Sequence, residues 1–499
     1  MKKEDKAGIR SLPSGVPGLD SVLGGGLPEY SFNLLAGGPG AGKTTLAHQI
    51  MFANATVERP ALYFTVLGEP TLKMLRYQRQ FSFFDPDLAG SAIQFINLSA
   101  EVMAGDLDEV LRRIVSETER TKPGIVAVDS FRTIGGPHGS TARGATFGLD
   151  QFVQHLALHL TTWEVTSFLL GEYAEEEQRN PVFTVADGII WLSQATDRNS
   201  VVRKLQVVKT RGRAPMPGLH TFRITDDGLQ VYPRIPEQTQ KRAVLKRERL
   251  STGVPGMDEM IGGGVISGDA IMLTGPAGSG KSTVATQFIV AGLANGETGV
   301  IAVFEEYPEE YLARANRRNP AVGKAIKAGK LEVIYLRPLD LSVDEALAAI
   351  LEAVERLGAK RVVIDSLSGF EVALAPTFRE DFRESLYRLV GALTATGVTV
   401  FTTAEVSDGF AEARFTTENV SFITDEIIVQ RYIEMKGELK RVMAVVKMRG
   451  SNHTHEFRTY EVSAKGVIVG GALTEYDGII TGVPTLRANP VTQNKNKAG

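Results

Sequence analysis

One set of short motifs occurs twice along the chain, in the same order and at nearly constant spacing. The segment SGVPGLDSVLGGGLPE at 14–29 returns as TGVPGMDEMIGGGVIS at 252–267. Later in each copy, KTRG and KMRG place Lys209 and Lys447 at positions 238 residues apart. Repeats of roughly 20–50 residues build solenoids and propellers, so this much longer period indicates a duplicated globular domain.

The length of the chain fits two large domains. The chain has 499 residues, whereas a single domain usually has about 100–200. We predict a first domain at 1–235, a linker at 236–250, a second domain at 251–486 and a flexible polar tail at 487–499. Prolines and a basic cluster occupy 231–250, which fits either a solvated linker or a segment that packs the domains together.

The composition is that of an ordinary globular protein, with 43% hydrophobic residues, 23% charged residues and a net charge of −3. The chain has no cysteine, which excludes disulfides, thiolate metal sites and a cysteine nucleophile. The N-terminus is charged and no long apolar run follows, so we expect a cytoplasmic protein without a secretory signal or membrane span. The mild negative charge does not favour nucleic acid as a partner.

Short apolar runs alternate with helical patterns within each copy. NLLAG, LYFTVL, IQFINL, IVAVDS and SFLLGE in the first copy are typical of buried parallel strands. Late in each copy the pattern changes to neighbouring strands, as in GIIWLS followed by VRKLQVVKT. The sequence therefore predicts an α/β fold, with a mostly parallel central sheet and an antiparallel extension.

Two segments match the pattern G-x-x-x-x-G-K-[ST] of a phosphate-binding loop, or P-loop, at Gly37–Thr44 and Gly275–Ser282. Glycines let successive N–H groups turn toward phosphate oxygens, and the following helix adds its positive end. Lys43 and Lys281 are expected to act in catalysis by reaching the β- and γ-phosphates of ATP. The predicted nucleotide-binding residues of the loops are Gly38, Gly40, Ala41, Gly42, Lys43, Thr44, Thr45, Gly278, Ser279, Gly280, Lys281, Ser282 and Thr283.

An aspartate closes one apolar strand downstream of each P-loop. Asp129 ends GIVAVD and Asp365 ends RVVID. A carboxylate at this place typically holds Mg²⁺ through water, while the P-loop hydroxyl, from Thr44 or Ser282, binds the ion directly. These four residues form two predicted metal sites, one in each copy. An aspartate at a strand end can also simply cap a helix.

Glutamates follow the first strand after each P-loop helix. The second copy has a pair, Glu305 and Glu306, whereas the first has Glu69 with Gly68 before it. Such an acid can orient or deprotonate an attacking hydroxyl or water, or it can be an ordinary solvated loop residue. We predict all three glutamates as catalytic candidates and expect the two sites to be unequal.

The basic residues of KTRG and KMRG are candidates for phosphate contact. Lys209 with Arg211, and Lys447 with Arg449, are two residues apart, so a strand would direct each pair to one face. They are either an exposed basic strand or cations that reach the γ-phosphate of a neighbouring subunit, as an arginine finger does.

The combination of SGVPGLD, GGPGAGKTT, VDS and KTRG, repeated with FEE and KMRG, resembles the KaiC family of RecA-like clock ATPases. The resemblance runs from Arg10 to Leu486 and implies two tandem RecA-like P-loop NTPase domains. It also implies a double-ringed homo-hexamer with ATP and Mg²⁺ between neighbouring subunits. In this family the first domain hydrolyses ATP, the second phosphorylates its own chain, and the paired glutamates, matched here by Glu305 and Glu306, serve catalysis.

The same resemblance assigns phosphosites and partners. Ser421 in ENVSFITDEII matches the family's phosphorylated serine and Thr416 an accessory threonine, while Phe422 replaces the neighbouring threonine. A KaiB-like protein is a candidate partner. The short end after TGVPTL does not favour a KaiA-like activator.

Two other functions remain open at the level of sequence. A RecA- or RadA-like DNA-dependent ATPase would share the core, because one fold serves several functions. An ATP-bound signalling scaffold with little catalysis would also preserve both P-loops. Paired acids in the second copy favour an ATPase and serine/threonine autokinase.

Overall fold

The fold is taken from a computed structural model. It describes residues 10–66, 71–130, 148–173, 181–197, 200–234, 247–336, 341–374, 382–406, 423–435, 437–479 and 484–486. The chain divides into two compact units, Met1–Arg234 and Ile235–Gly499. The predicted tail at 487–499 and the linker residues before 247 lie outside the described residues.

The first unit alternates strands and helices and then ends in a run of strands. Its helices are α1 Leu19–Val22, α2 Lys43–Asn54, α3 Thr71–Gln78, α4 Ser99–Met103, α5 Leu107–Thr121, α6 Leu149–Thr162 and α7 Pro181–Val185. Its main strands are β1 Phe32–Gly37, β2 Ala61–Thr65, β3 Ile93–Asn97, β4 Ile125–Asp129, β5 Thr166–Glu172, β6 Gly188–Asp197, β7 Ser200–Thr210, β8 His220–Thr225 and β9 Gly228–Tyr232.

The second unit repeats this order. Its helices are α8 Pro255–Met260, α9 Lys281–Ala294, α10 Pro308–Arg318, α11 Ala321–Lys327, α12 Val343–Leu357, α13 Leu367–Ala373 and α14 Phe382–Ala395. Its main strands are β10 Ala270–Gly275, β11 Gly299–Val303, β12 Leu331–Tyr335, β13 Arg361–Asp365, β14 Thr399–Glu405, β15 Glu426–Met435, β16 Glu438–Met448, β17 Arg458–Ser463 and β18 Gly466–Ala472.

Each unit has one large mixed sheet. Among the described residues, the order is β9-β8-β7-β6-β1-β5-β4-β2-β3 in the first unit and β18-β17-β16-β15-β10-β14-β13-β11-β12 in the second. The strands from β6 to β3 are parallel, while β7, β8 and β9 extend the sheet with antiparallel pairs. The predicted α/β fold, with its parallel sheet and antiparallel extension, is confirmed in both copies.

The central strand of each sheet is buried on both faces, because helices cover both sides. Phe32 and Leu34 of β1 pack into one hydrophobic cluster, whereas Leu35, between Leu34 and Ala36, packs into the cluster on the other face. Full burial of one such side chain contributes about 1.5–3 kcal/mol. This two-sided packing fixes the end of β1, and hence the loop that follows it.

Capping residues define the ends of two long helices. Helix α12 begins at a capping box in which the Ser342 hydroxyl accepts from the Glu345 N–H and the Glu345 carboxylate accepts from the Ser342 N–H. It ends at Gly358, whose φ of 58° is left-handed. In the first unit, α5 stops at Lys122, also left-handed, with a φ of 50°.

Small two-stranded sheets accompany the large ones, at Ser11–Leu12 with Leu27–Pro28, Arg249–Leu250 with Val265–Ile266, and Tyr476–Asp477 with Thr485–Leu486. Within the described ranges, no helix combines the length and apolar character that crossing a membrane would require.

Candidate nucleotide-binding sites

Both P-loops connect the central strand of a sheet to the helix beside it. The loop after β1 leads into α2, and the loop after β10 leads into α9. Gly40 and Gly278 have φ values of 71° and 74°, and Gly42 and Gly280 have 98° and 100°. Glycine tolerates these left-handed values, which side chains disfavour, so the two loops share their backbone conformation at these two positions.

The P-loop lysines fold back over their own loops. Lys43 Nζ donates to the carbonyls of Gly37 and Gly38, at 2.9 and 2.7 Å. Lys281 Nζ donates to Gly275 and Pro276, at 2.8 Å each. Burial lowers the pKa of Lys43, although the nearby carboxylates of Glu172 and Asp129 oppose this shift. Both ammonium groups therefore lie at the mouth of the phosphate cradle.

Asp129 receives two hydroxyl groups at the end of β4. Thr44 Oγ1 donates to Asp129 Oδ2 at 2.8 Å, and the Tyr63 phenol donates to the same oxygen at 2.5 Å. A hydroxyl and a carboxylate side by side are the hard oxygen donors that Mg²⁺ prefers. The structure thus brings together the two residues predicted to hold the ion in the first unit.

Asp365 occupies the same place at the end of β13. Thr403 Oγ1 donates to Asp365 Oδ1 at 2.6 Å. Burial raises the pKa of Asp365, while hydrogen bonds from the hydroxyls of Thr403 and Ser282 act in the opposite direction. The Ser282 contact places the predicted P-loop hydroxyl beside the predicted metal-binding carboxylate in this unit too.

The two acids after β11 have different environments. Glu305 Oε1 accepts a 2.6 Å hydrogen bond from the Ser366 hydroxyl, on the residue directly after Asp365, and the Glu305 side chain is otherwise exposed. Glu306 instead forms an ion pair with Arg314 of α10. Glu305 therefore lies beside Ser366 at the P-loop edge of the sheet, whereas Glu306 is paired with Arg314.

The predicted basic residues lie at the edge of each sheet where β1 and β10 begin, opposite the edge that carries the P-loop. In the first unit, the Arg211 N–H donates to the Asp187 carbonyl, and the Asp187 N–H donates to Phe32, the first residue of β1. The P-loop begins at Gly37, five residues and about 16 Å further along this strand. Neither Arg211 nor Lys209 is thus brought to the P-loop of its own unit.

The same separation holds in the second unit. Lys447 pairs with Ile427, which pairs with Met272 near the start of β10. Lys447 Nζ donates to the Thr424 carbonyl at 2.6 Å, and burial and the neighbouring Arg449 guanidinium lower its pKa. Arg449 pairs with Asp425 at 3.4 Å, as Arg211 does with Asp187 at 2.8 Å.

A basic cleft flanks the second P-loop helix. Arg314 and Arg318 of α10 line it together with Thr283, Thr286 and Lys465. Arg318 donates to the Thr283 hydroxyl at 2.6 Å. Thr283, a predicted nucleotide-binding residue, is thus hydrogen-bonded to α10.

Some predicted residues lie outside the described residues. These are Glu69 and Gly68 in the first unit, and Thr416, Ser421 and Phe422 in the second. Their assignments remain predictions.

Sequence reasoning missed several residues around the two aspartates. Tyr63 and Thr403 hydrogen-bond the carboxylates, and Ser366 holds Glu305. The available signal was a side chain with a polar group inside an otherwise apolar run, as for Tyr63 in ALYF.

The sequence is similar to that of a known protein family. The family model described as "ATPase: KaiC" matches residues 12–235 and again 250–473. The circadian clock oscillator protein KaiC of Picosynechococcus sp. is 27% identical over 489 residues, which cover 96% of this chain and 93% of that protein. The circadian clock protein KaiC3 of Synechocystis sp. is 28% identical over 502 residues, covering 98% and 97%. The resemblance predicted from the repeated motifs is confirmed, and the chain belongs to the KaiC family of ATPases.

Proposed function

We propose that the chain hydrolyses ATP and that its second domain also transfers the γ-phosphoryl group to its own Ser421, within a clock or other timing system. The observation that carries the proposal is Glu305, held by Ser366 directly beside Asp365 at the P-loop edge of the sheet. The timing role follows from the names of the relatives, which are circadian clock proteins.

The chemistry assigns one task to each group. The P-loop and Lys281 bind and orient the phosphates of ATP, and Glu305 accepts the proton of the attacking hydroxyl. The Ser421 oxygen forms a bond to the γ-phosphorus as the bond to ADP breaks. Mg²⁺, when bound at Ser282 and Asp365, would neutralise charge on the phosphates. In the first domain, water would replace serine, and Thr44 with Asp129 would hold the ion.

The active sites are proposed to form between neighbouring copies of the chain. Lys447 and Arg449 lie at the sheet edge opposite their own P-loop, so they can approach a phosphate only from another copy. A head-to-tail contact that closes on itself produces a ring, and the family resemblance implies a hexamer. A KaiB-like protein is the proposed partner of this ring.

Labelling with ATP tests the proposal. The full chain is incubated with Mg²⁺ and γ-labelled ATP, and incorporated phosphate is mapped by mass spectrometry. Ser421→Ala should abolish incorporation, and Glu305→Gln should slow it by roughly 10²–10⁴, the usual contribution of a general base. Glu306→Gln is the matched control and should have a much smaller effect, because its partner is Arg314.

Two outcomes would contradict the proposal. Unchanged labelling of Ser421→Ala would show that another residue accepts the phosphoryl group. A larger loss in Glu306→Gln than in Glu305→Gln would exchange the roles of the two acids.

A further inference from the structure

The two P-loops have similar backbones but pack against different side chains. The second loop lies over a hydroxyl, an amide and a phenol, whereas the positions 238 residues earlier are apolar. The corresponding pairs are Ser279 with Ala41, Gln430 with Leu192, and Tyr460 with Phe222. We call the first member of each pair, together, the polar floor.

Tyr460 of β17 forms a hydrogen bond with the backbone of the second P-loop. Its phenol donates to the Ser279 carbonyl at 2.7 Å, and its side chain is buried, with 3% exposure. Burial raises the pKa of this phenol, so it keeps its proton as a donor at neutral pH. Phe222 cannot make such a bond, so the first loop lacks this anchor.

Ser279 and Gln430 bring further polar atoms under the same loop. Both residues are fully buried, yet Ser279 Oγ and both amide atoms of Gln430 have no hydrogen-bond partner among the protein atoms of the described residues. The two side chains pack against the same glycine. A Cβ built on Gly275 would lie 2.8 Å from Gln430 Cβ and 3.0 Å from Ser279 Oγ.

Such groups require a ligand. A buried polar atom left without a hydrogen bond is costly, and one water with two to four polar partners is the usual remedy. The hydroxyl of Ser279 and the two ends of the Gln430 amide supply donors and acceptors for one water.

We propose that the polar floor fixes the second P-loop in its nucleotide-binding conformation, through the Tyr460 hydrogen bond and one buried water between Ser279 and Gln430. Tyr460, Ser279 and Gln430 are thus positioning residues for nucleotide binding in the second domain. Because Gly40 and Gly42 have nearly the same φ values as Gly278 and Gly280, the floor changes how firmly this part of the loop is held and not its shape. A preorganised loop loses less freedom on binding and so binds ATP more tightly.

Site-resolved photolabelling tests this inference. The full chain is titrated with 8-azido-ATP and irradiated, and the labelled peptides of each domain are quantified by mass spectrometry. Tyr460→Phe, which introduces the residue of the first domain, should raise the apparent Kd of the second site roughly 3- to 10-fold, the value of one net hydrogen bond. The first site of the same molecule is the internal control and should not change.

A double variant tests the water. Ser279→Ala with Gln430→Leu also installs the residues of the first domain, and it should weaken the second site while a thermal unfolding scan shows an intact fold. Equal shifts at both sites, or an unchanged second site in both variants, would overturn the inference. The readout is nucleotide binding alone, so its failure is separate from any failure of Ser421 phosphorylation.

Discussion

At the scale of single residues, Glu426 is a carboxyl group with an unusual environment. It is fully buried at the start of β15, and its Oε1 accepts from the Ile266 N–H at 3.3 Å. Burial raises its pKa from 4.5 to about 7, Asp269 and Asp425 add to the shift, and Arg249 opposes it. The folded protein therefore retains a proton that the unfolded chain loses near pH 4.5.

This raised pKa predicts a pH-dependent stability. The free energy of unfolding should fall as the pH rises from about 4.5 to about 7, and a shift of this size corresponds to roughly 3 kcal/mol. Above pH 7 the carboxylate is charged in both states and the loss is complete. Glu426→Gln keeps an acceptor for Ile266 and removes the charge, so it should be more stable than the parent by a margin that grows with pH.

Denaturant unfolding from pH 5 to pH 8.5 measures that margin. Glu461→Gln, at an exposed position on β17, is the control for the same substitution outside the core. A margin for Glu426→Gln that is constant across this range would contradict the prediction.

The sequence was informative about residues whose chemistry depends on a local motif. Thr44 lies beside Asp129 because the P-loop and the end of strand β4 meet at the same edge of a parallel sheet. The difference between Glu305 and Glu306 could not be predicted, because it depends on Arg314 from a helix packed nearby. Likewise, nothing local to Gly275 indicates that Gln430 lies beneath it.

At the scale of elements, helix α13 supports Glu305 through a glycine. A Cβ at Gly369 would lie 2.6 Å from Glu305 Cγ and 2.7 Å from its Oε1. Gly369→Ala should therefore displace the carboxylate and reduce phosphoryl transfer in the second domain by roughly 10²-fold, since misplacement by about 1 Å can cost this much. Release of phosphate and incorporation of label measure the loss.

The neighbouring helix offers a matched control for this variant. A Cβ at Gly391 of α14 has nothing within 4 Å. Gly391→Ala should leave activity unchanged and stabilise the helix by about 0.5–1 kcal/mol. A Gly369→Ala variant as active as Gly391→Ala would show that Glu305 does not depend on this contact.

Short apolar runs were sufficient to predict the parallel strands of the first copy. The predicted strands became β1 to β5. Strands β15 and β16 pair from Met435 with Glu438 onward, next to Gly437, which has a φ of 77°. Sheet order could not be read from the sequence, because β1 lies between β5 and β6, strands more than 120 residues further along the chain. Such pairings depend on the packing of the whole unit.

At the scale of the whole molecule, the proposed shared sites predict complementation between inactive chains. Lys281→Ala removes a P-loop cation and Arg449→Ala removes the group given to a neighbour. Each variant alone should lack phosphoryl transfer in its second domain. In an equal mixture, about one quarter of the contacts join an intact loop to an intact arginine, so about one quarter of the activity should return.

The mixture is assembled from unfolded or dissociated chains, and phosphate incorporation is compared with that of the parent. The double variant Lys281→Ala/Arg449→Ala, mixed with either single variant, is the control and should restore no activity, because such a mixture has either no intact loop or no intact arginine. Absence of any recovery in a mixture shown to co-assemble would place both groups in one subunit's site, against the register of β10, β15 and β16.

The position of KMRG at the edge opposite the P-loop has a genetic consequence. In the proposed ring, a chain altered at Arg449 retains its own loop, which its other neighbour completes, and the defect appears in the adjacent copy. Such an allele is non-autonomous. Expressed beside the normal allele, it leaves about half of the sites on normal chains incomplete, while normal neighbours complete about half of the sites on the altered chains.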